Sequence, residues 1–257
     1  RRSLNLLFAD WANRGLNQWT IEQTSITLAS GVRDYPGGTI TMTVGASTSL
    51  TVGETITGGT SAATATITSK PSATTLALTI PSGTFQAAET ITGGTSGATT
   101  TVSAAVDLSD VRSTIDILSS VVTRDGTDFQ IERISRSSYL NIPDKDQTGR
   151  PNQFFLDRQI TPILRVWPTP DKNTDIIKFD RLTRIDDADT NTNTVDVPFR
   201  FYPCLTAGLA YYISMKRNPG MMAVLKQVYE EEMQRAMDED RDRASLRISP
   251  GYEYYRT

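Results

Sequence analysis

The chain has 257 residues, with 26 Lys and Arg against 29 Asp and Glu, so its formal net charge is −3. This balance gives no global basic field for nucleic acid, and no apolar run reaches the ~20 residues of a membrane helix. Histidine is absent and Cys204 is the single cysteine, which removes His-based triads, His zinc sites and an intrachain disulfide. No nucleophile is paired with a base, so we predict no enzyme, no catalytic residues, no cofactor and no metal.

An apolar stripe at helical spacing opens the chain: Leu4, Leu7, Phe8 and Trp11. It predicts an amphipathic helix. The pattern is already in progress at Arg1 and has no N-cap, so we expect the helix to extend upstream of the numbered chain.

The next segments read as strands. "WTIEQTSITL" (19–28) is rich in β-branched residues, and Asp125-Gly126 separates two half-apolar runs within residues 115–135, which is typical of a hairpin. "NQFFLDRQITPILRVWPTP" and "TDIIKFDRLTRI" add three short strands. These segments together predict a small antiparallel sheet or sandwich.

Helical periodicity returns after Pro198 in two apolar stripes, which "NPG" (218–220) separates. The first stripe is Tyr202, Leu205, Leu209 and Ile213, and the second is Met222, Leu225, Tyr229, Met233 and Met237. We interpret both stripes as the buried face of a helical core.

Residues 37–105 differ sharply in composition. They are rich in Thr, Ser, Ala and Gly, and their three charged residues are Glu54, Lys70 and Glu89. "ETITGGTS" occurs at 54–61 and again at 89–96, within two repeats of about 35 residues that alternate like strands. We interpret the Gly-Gly pairs as turn glycines, and expect the strands on either side of this segment to be neighbours in one sheet.

The predicted fold class is therefore α+β. N- and C-terminal helices form a helical bundle with a small antiparallel β domain, and an all-β domain, Ig-like or a small barrel, is inserted. The predicted domains are a discontinuous body at 1–36 and 107–257, and a Thr/Gly-rich insert at 37–106 built from the two repeats.

Two polar or terminal segments are candidate sites. "DDADTNTNTVD" (186–196) begins like a calcium loop, but Thr192 and Pro198 stand where a glycine and a glutamate are needed, so we interpret it as a polar loop. The C-terminal segment is apolar and aromatic, as contact surfaces are. Its candidate partner-contact residues are Leu246, Arg247, Ile248, Tyr252, Tyr254 and Tyr255.

The body resembles the head-to-tail adaptor (connector) proteins of tailed bacteriophages, especially podovirus-like ones. The resemblance rests on the strings "LNLLFADWANRGLNQWTI" and "EEMQRAMDEDRDRASLRISP", with "NQFFLDRQITPILRVWPTPD" and "YPCLTAGLAYYISMKRNP" between them. It covers residues 1–36 and 107–257 and leaves the insert outside.

The resemblance implies a virion structural protein at the neck, made in the host cytoplasm. It implies a ring, a dodecamer, under the portal protein, which extends the DNA channel for ejection and docks the downstream tail tube or nozzle. Double-stranded DNA would pass through the lumen without sequence-specific binding, and no membrane would be involved. Tail fibres are a further expected partner, through the insert.

Other functions stay open from the residues alone. One is a tail-tube, nozzle or fibre-attachment protein, which would assemble mainly through β-sheets. Another is a glycan-binding module, although Phe85 is the sole aromatic residue of 37–105.

Overall fold

A computed structural model of the protein describes residues 2–14, 18–104, 106, 108–185 and 197–240. The chain forms two compact units, residues 1–19 with 185–257, and residues 20–184. Within the described residues there are five α-helices and sixteen strands, so the α+β class is confirmed. The polar loop predicted at 186–196 lies outside the described residues.

The α-helices are α1 (Arg2–Arg14), α2 (Ser109–Ser113), α3 (Arg136–Leu140), α4 (Tyr202–Arg217) and α5 (Met222–Glu239). The first eight strands are β1 (Ile21–Thr27), β2 (Asp34–Pro36), β3 (Thr41–Thr43), β4 (Thr55–Gly58), β5 (Thr64–Ser72), β6 (Thr75–Leu78), β7 (Thr90–Gly93) and β8 (Thr99–Thr101). The remaining strands are β9 (Thr114–Arg124), β10 (Thr127–Gln130), β11 (Glu132–Arg133), β12 (Thr148–Gly149), β13 (Gln153–Asp157), β14 (Ile163–Trp167), β15 (Thr169–Pro170) and β16 (Ile176–Thr183).

Helices α1, α4 and α5 share one apolar core in the first unit. Trp11 is fully buried, and its indole Nε1 donates to the Tyr229 hydroxyl at 3.1 Å. That hydroxyl donates in turn to Asp10 at 2.6 Å. Arg14 binds both carboxylate oxygens of Glu230, at 2.6 and 2.8 Å, a bidentate geometry that fixes α1 against α5.

The buried face predicted for α4 is wrong at two positions. Tyr202 is 48% exposed and Ile213 is 41% exposed. The helix packs instead through Gly208, where a Cβ would lie 2.6 Å from Leu7 Cδ1 and 2.8 Å from Tyr229 Cε2. A periodic pattern of large apolar residues cannot reveal that a helix packs against its neighbours through a glycine, because glycine adds no side chain to the pattern.

The prediction for α5 is confirmed at its centre and wrong at its start. Tyr229 and Met233 are buried, whereas Met222 is 40% exposed.

Two four-stranded sheets face each other in the second unit and enclose a common core. Their strand orders are β1-β16-β9-β10 and β11-β13-β14-β2. The predicted hairpin is confirmed, since β9 and β10 pair across Asp125 and Gly126, whose φ angles are 52° and 81°. Both angles are positive, as a two-residue type I′ turn requires.

The Thr/Gly-rich segment forms a six-stranded antiparallel sheet in the order β3-β6-β5-β4-β7-β8. Its two outer strands are joined by a bridge between Val44 and Val102, so the sheet closes on itself. Gly45 N also donates to the Thr101 carbonyl, at 2.9 Å. The fully enclosed side chains include Ile56, Ile91 and Phe85. We call these six strands the closed sheet; its standing as a separate inserted domain at 37–106 stays a prediction.

The strands that flank the closed sheet are not neighbours in one sheet, which corrects that expectation. β2 pairs with β14, whereas β9 lies between β16 and β10 in the opposite sheet. The two chain ends nevertheless meet, because the Thr114 hydroxyl donates to the Gly37 carbonyl at 2.8 Å. Two strands that flank the same insertion have their ends close together, but they need not belong to the same sheet.

Candidate functional site

The predicted partner-contact residues lie outside the described residues. Leu246, Arg247, Ile248, Tyr252, Tyr254 and Tyr255 all belong to 241–257. Their role as contacts stays a prediction.

The repeated sequence "ETITGGTS" makes a reciprocal contact. Glu54 accepts hydrogen bonds from the Ser96 amide (2.9 Å) and from the Ser96 hydroxyl, in the other copy of the repeat. Glu89 accepts the equivalent bonds from the Ser61 amide (3.0 Å) and hydroxyl. Between these contacts β4 pairs antiparallel with β7, with Thr57 opposite Thr92. The two repeats are therefore related by a local twofold axis, and we call the two Glu–Ser contacts the clasp.

The first glycine of each Gly-Gly pair makes room for the clasp. A Cβ on Gly93 would lie 2.6 Å from Glu54 Oε2, and a Cβ on Gly58 would lie 2.7 Å from Glu89 Oε2. The turn-glycine interpretation is therefore incomplete, because Gly58 and Gly93 end strands at a point where a buried carboxylate passes.

Hydrogen-bond donors stabilise the ionised form of the two clasp carboxylates. Glu54 is 3% exposed and Glu89 is 5% exposed. Burial alone raises the pKa of each carboxyl, but hydrogen bonds from the Thr51 and Ser96 amides lower the pKa of Glu54 below its ordinary value. The amides of Gln86 and Ser61 do the same for the pKa of Glu89. Each charge is compensated by oriented dipoles rather than by a cation.

Sequence reasoning missed the clasp, although a signal was present. A lone glutamate in an almost uncharged strand segment either faces solvent or has a complete donor set. The serine that ends each copy of the repeated sequence supplies part of the donor set for the glutamate of the other copy.

A buried arginine connects the ends of the closed sheet to the surrounding sheets. Arg181 on β16 is 3% exposed and donates to the carboxylate of Asp110 and to the Thr114 hydroxyl. Asp110 also accepts from the Thr39 amide and hydroxyl, both at 2.7 Å. Burial raises the pKa of Asp110, but the bonds from Arg181 and Thr39 outweigh it and hold the pKa below its usual value.

The helical unit exposes several large apolar side chains, which we refer to together as the helical apolar surface. It comprises Phe199, Tyr202, Ile213, Met215, Met221, Met222, Val224 and Val228. Phe199 is 84% exposed and Val224 is 56% exposed. Val224 and Val228 are four residues apart on α5 and so share one face of that helix.

The described residues contain no group of three or more Asp, Glu, Cys or His side chains arranged to hold a metal ion. In the same part of the chain, no helix has the length and hydropathy needed to cross a bilayer. Burial raises the pKa of the Cys204 thiol to about 12, so this cysteine is protonated at neutral pH.

Comparison with known proteins identifies a family. A search of curated proteins finds no significant relative. The profile of the SU10 adaptor protein family matches residues 2–251, which is nearly the whole chain and includes the closed sheet. This family is structural rather than enzymatic and supports a phage virion component. The order of helix, sheets and two C-terminal helices, together with this match, shows that the chain belongs to the SU10 adaptor protein family and is a phage adaptor-like structural protein.

Proposed function

We propose that the protein is the head-to-tail adaptor of a podovirus-like phage, forming a ring of twelve copies beneath the portal. The ring extends the DNA channel and offers a docking platform to the tail tube or nozzle. Membership of the adaptor family supports the class of function. The observation that carries the ring is the helical apolar surface.

Solvent exposure on this scale is unfavourable for an isolated chain. Monomeric proteins rarely leave contiguous apolar patches uncovered, and larger exposed patches mark interfaces. On α4 the exposed Tyr202 and Ile213 belong to the stripe that the sequence predicts to be buried. Contact with neighbouring copies buries that stripe, which explains why the sequence predicts a buried face that is exposed in the single chain. A head-to-tail contact between copies produces a ring when its rotation closes.

The other partners follow from the adaptor role. The portal is contacted by Leu246, Arg247, Ile248, Tyr252, Tyr254 and Tyr255. The closed sheet projects outward and offers an attachment point for tail fibres. DNA passes through the lumen without sequence-specific binding, since a chain of net charge −3 has no global basic field that would hold phosphate. The protein is made in the host cytoplasm and remains in the neck of the virion.

The glycan-binding alternative loses its main support in the structure. Phe85, the one aromatic side chain of residues 37–105, is 1% exposed and lies in the core of the closed sheet. It offers no face on which a sugar could stack. A tail-tube or nozzle protein remains the second candidate, and it is favoured by the large share of sheet in residues 20–184.

The test is co-expression with the portal protein, followed by imaging of the purified assembly. We expect a twelve-membered ring attached to the portal. Val224→Asp places a charge in the helical apolar surface and should abolish the ring while leaving the chain folded. Ala223→Asp is the matched control, because it adds the same charge to the same exposed first turn of α5 but on an adjacent face.

Two results would overturn the proposal. One is a chain that stays monomeric beside the portal, and the other is a ring that Val224→Asp leaves intact. A tube of stacked copies without portal contact would support the tail-tube candidate instead.

A further inference from the structure

The two C-terminal helices form a hairpin whose two ends differ in charge. α4 and α5 pack against each other and are joined by a turn at residues 218–221. Residues 213–229, around that turn, carry three charges, and all three are positive: Lys216, Arg217 and Lys226. Residues 230–240 carry six carboxylates and one arginine. We call residues 213–229 the basic end of the hairpin.

The opposite end of the hairpin also includes the start of α4. Arg200 Nη2 donates to Asp240 Oδ1 at 3.1 Å, which brings residues 199–202 beside the end of α5. We call residues 199–202 together with 230–240 the acidic end. Glu231 and Asp238 are exposed there and lie seven residues apart, so they share one face of α5.

The charged groups at the two ends lack partners of opposite charge or meet neutral ones. Among the described residues, Lys216, Arg217 and Lys226 make no hydrogen bond and no direct ion pair. At the acidic end, Glu231 accepts from the Gln227 amide at 3.1 Å, which is a neutral donor. The basic end therefore has three cations available for carboxylates of another molecule.

The order of charges along α5 is unfavourable for the helix itself. Its first turn has no acidic residue and its last turn has no basic residue. A helix is stabilised by carboxylates near its N-terminus and cations near its C-terminus, and α5 has the reverse order. Lys216 and Arg217 do agree with the dipole of α4, since they lie in its last turn. The charge order of α5 is thus not explained by its own stability, and an external contact accounts for it.

The exposed apolar side chains of the two ends are complementary as well. Met215, Met221 and Met222 are exposed at the basic end. At the acidic end, Phe199 and Tyr202 are exposed and form an edge-to-face pair with ring centroids 5.5 Å apart. Methionine thioethers pack favourably on aromatic rings, and Lys and Arg cations bind the ring faces. Each end therefore offers what the other end lacks.

We propose that the basic end of one copy docks on the acidic end of the next copy. The three methionines cover the aromatic pair, and Lys216 and Arg217 pair with Glu231 and Asp238. This inference rests on the proposed function and deepens it, because it gives the contact between copies two unlike faces. Such a contact repeats from copy to copy and forms a ring when its rotation closes. DNA phosphates would satisfy the cations but would leave the methionines exposed, so a second copy is the better fit.

The test reverses the charges of one end at a time in the full chain. The basic-end variant is Lys216→Glu with Arg217→Glu, and the acidic-end variant is Glu231→Lys with Asp238→Lys. Each puts like charges together at the contact, so self-association measured by sedimentation velocity should weaken at least about 100-fold. The acidic-end substitutions agree with the dipole of α5, so unfolding of that helix does not account for the loss. Circular dichroism checks the fold of both variants.

Recombining the two reversals should restore the contact. A chain with all four substitutions, and an equimolar mixture of the two variants, again bring opposite charges together. We expect both to associate within about tenfold of the unmodified chain. The control is Arg150→Glu with Lys172→Glu, which changes the net charge as the basic-end variant does but at exposed positions of residues 20–184. It should leave association unchanged.

The outcomes separate this contact from the proposed function. A ring on the portal that both reversals leave intact overturns the contact and leaves the adaptor function standing. Loss without recovery in the fourfold variant and in the mixture also overturns the contact. So does a basic-end variant that keeps the ring but loses binding to the portal or to DNA. Association that each reversal breaks and the mixture restores, but that gives no ring on the portal, supports the contact and overturns the proposed function.

Discussion

At the residue scale, a carboxylate buried in a nearly uncharged sheet is stable only with a full set of donors. Glu54 and Glu89 obtain part of theirs across the local twofold axis, each from the serine of the other repeat, and part from the Thr51 and Gln86 amides of their own repeat. Ser61 and Ser96 therefore act on the opposite copy, and neither repeat satisfies its own glutamate through them. This explains why the glutamate, the first glycine and the serine recur in both copies.

Replacing either clasp carboxylate should cost the same free energy. In Glu54→Gln the side-chain carbonyl can still accept from the Ser96 amide, but the new NH2 group faces other hydrogen-bond donors. We therefore expect the free energy of unfolding to fall by about 2–3 kcal/mol. Glu89→Gln should match it by symmetry. Amide hydrogen exchange in β4 and β7 measures the local stability.

Lys70→Gln is the control, because it removes the third charge of the segment from a half-buried position outside the clasp, where Nζ donates to the Leu50 carbonyl. It should shift exchange by no more than about 1 kcal/mol. Unequal losses in the two glutamate variants would contradict the symmetry of the clasp.

The same carboxylates make the closed sheet sensitive to acid. Their folded pKa is lowered, so their stabilisation is complete above the ordinary glutamate pKa of about 4.3 and is lost as pH falls through the folded value. Exchange in β4 and β7 should therefore accelerate below about pH 4.3, after correction for intrinsic rates. The Glu54→Gln, Glu89→Gln double variant should lose this dependence; parallel profiles in both proteins would disprove it.

Gly208 is a position where the absence of a Cβ atom allows close packing of the helices. Gly208→Ala places a methyl group 2.6 Å from Leu7 Cδ1 and 2.8 Å from Tyr229 Cε2. We expect a loss of about 1–3 kcal/mol, measured by urea unfolding with Trp11 fluorescence as the probe. Gly220→Ala, whose added Cβ meets only Asn218 Oδ1 at 3.6 Å, should leave stability nearly unchanged. A stable Gly208→Ala protein would show that the helices can separate without cost.

At the element scale, the contact of Asp110 with Arg181 joins the short helix α2 to β16. Asp110→Ala leaves the guanidinium of Arg181 buried with the exposed carboxylate of Glu22 as its remaining charged partner. Breaking such a pair costs about 3 kcal/mol. Lys172→Ala removes an exposed ion pair with Asp125 and serves as the control, with a loss below about 1 kcal/mol. Chemical denaturation of both variants gives the comparison, and equal losses would refute the role of Asp110.

Local elements could be predicted from the sequence, but their partners could not. The Asp125-Gly126 turn has positive φ at both residues, a property of the residue types themselves, and it is confirmed. The pairing of β1 with β16 joins Thr24 to Phe179, far apart in the chain, and no local pattern encodes it. The clasp could not be predicted for the same reason, since it brings together residues from separate repeats.

The α4 stripe was predicted wrongly for a physical reason. Hydrophobic periodicity reports which face is buried in the working assembly, not in the single chain. Tyr202 is 48% exposed and Ile213 is 41% exposed in the single chain. Under the proposed function the same stripe is covered by neighbouring copies.

At the scale of the whole molecule, the chain enters and leaves the closed sheet at one place, where the Thr114 hydroxyl donates to the Gly37 carbonyl. Deleting residues 39–106 removes its six strands but leaves Gly37, Thr114 and the Asp110–Arg181 pair in place. Val111 is fully buried within the core of the closed sheet, so the deletion exposes it. We expect the deletion combined with Val111→Ser to give a soluble chain that retains the two four-stranded sheets.

Circular dichroism and co-expression with the portal measure this outcome. The trimmed chain should still form the ring under the proposed function, because the helical apolar surface is untouched. The deletion without Val111→Ser is the comparison and should be less soluble. Aggregation of both forms would show that the sheets depend on residues 39–106 for folding.

The local twofold axis also sets how this segment can evolve. A substitution at position 54 removes a hydrogen bond of Ser96, and a substitution at position 61 removes a hydrogen bond of Glu89, because these residues are paired across the two repeats. Compensating substitutions should therefore appear as the crossed pairs 54–96 and 61–89, while positions 54 and 89 drift independently of each other. We therefore expect selection on these contacts to keep the two halves alike.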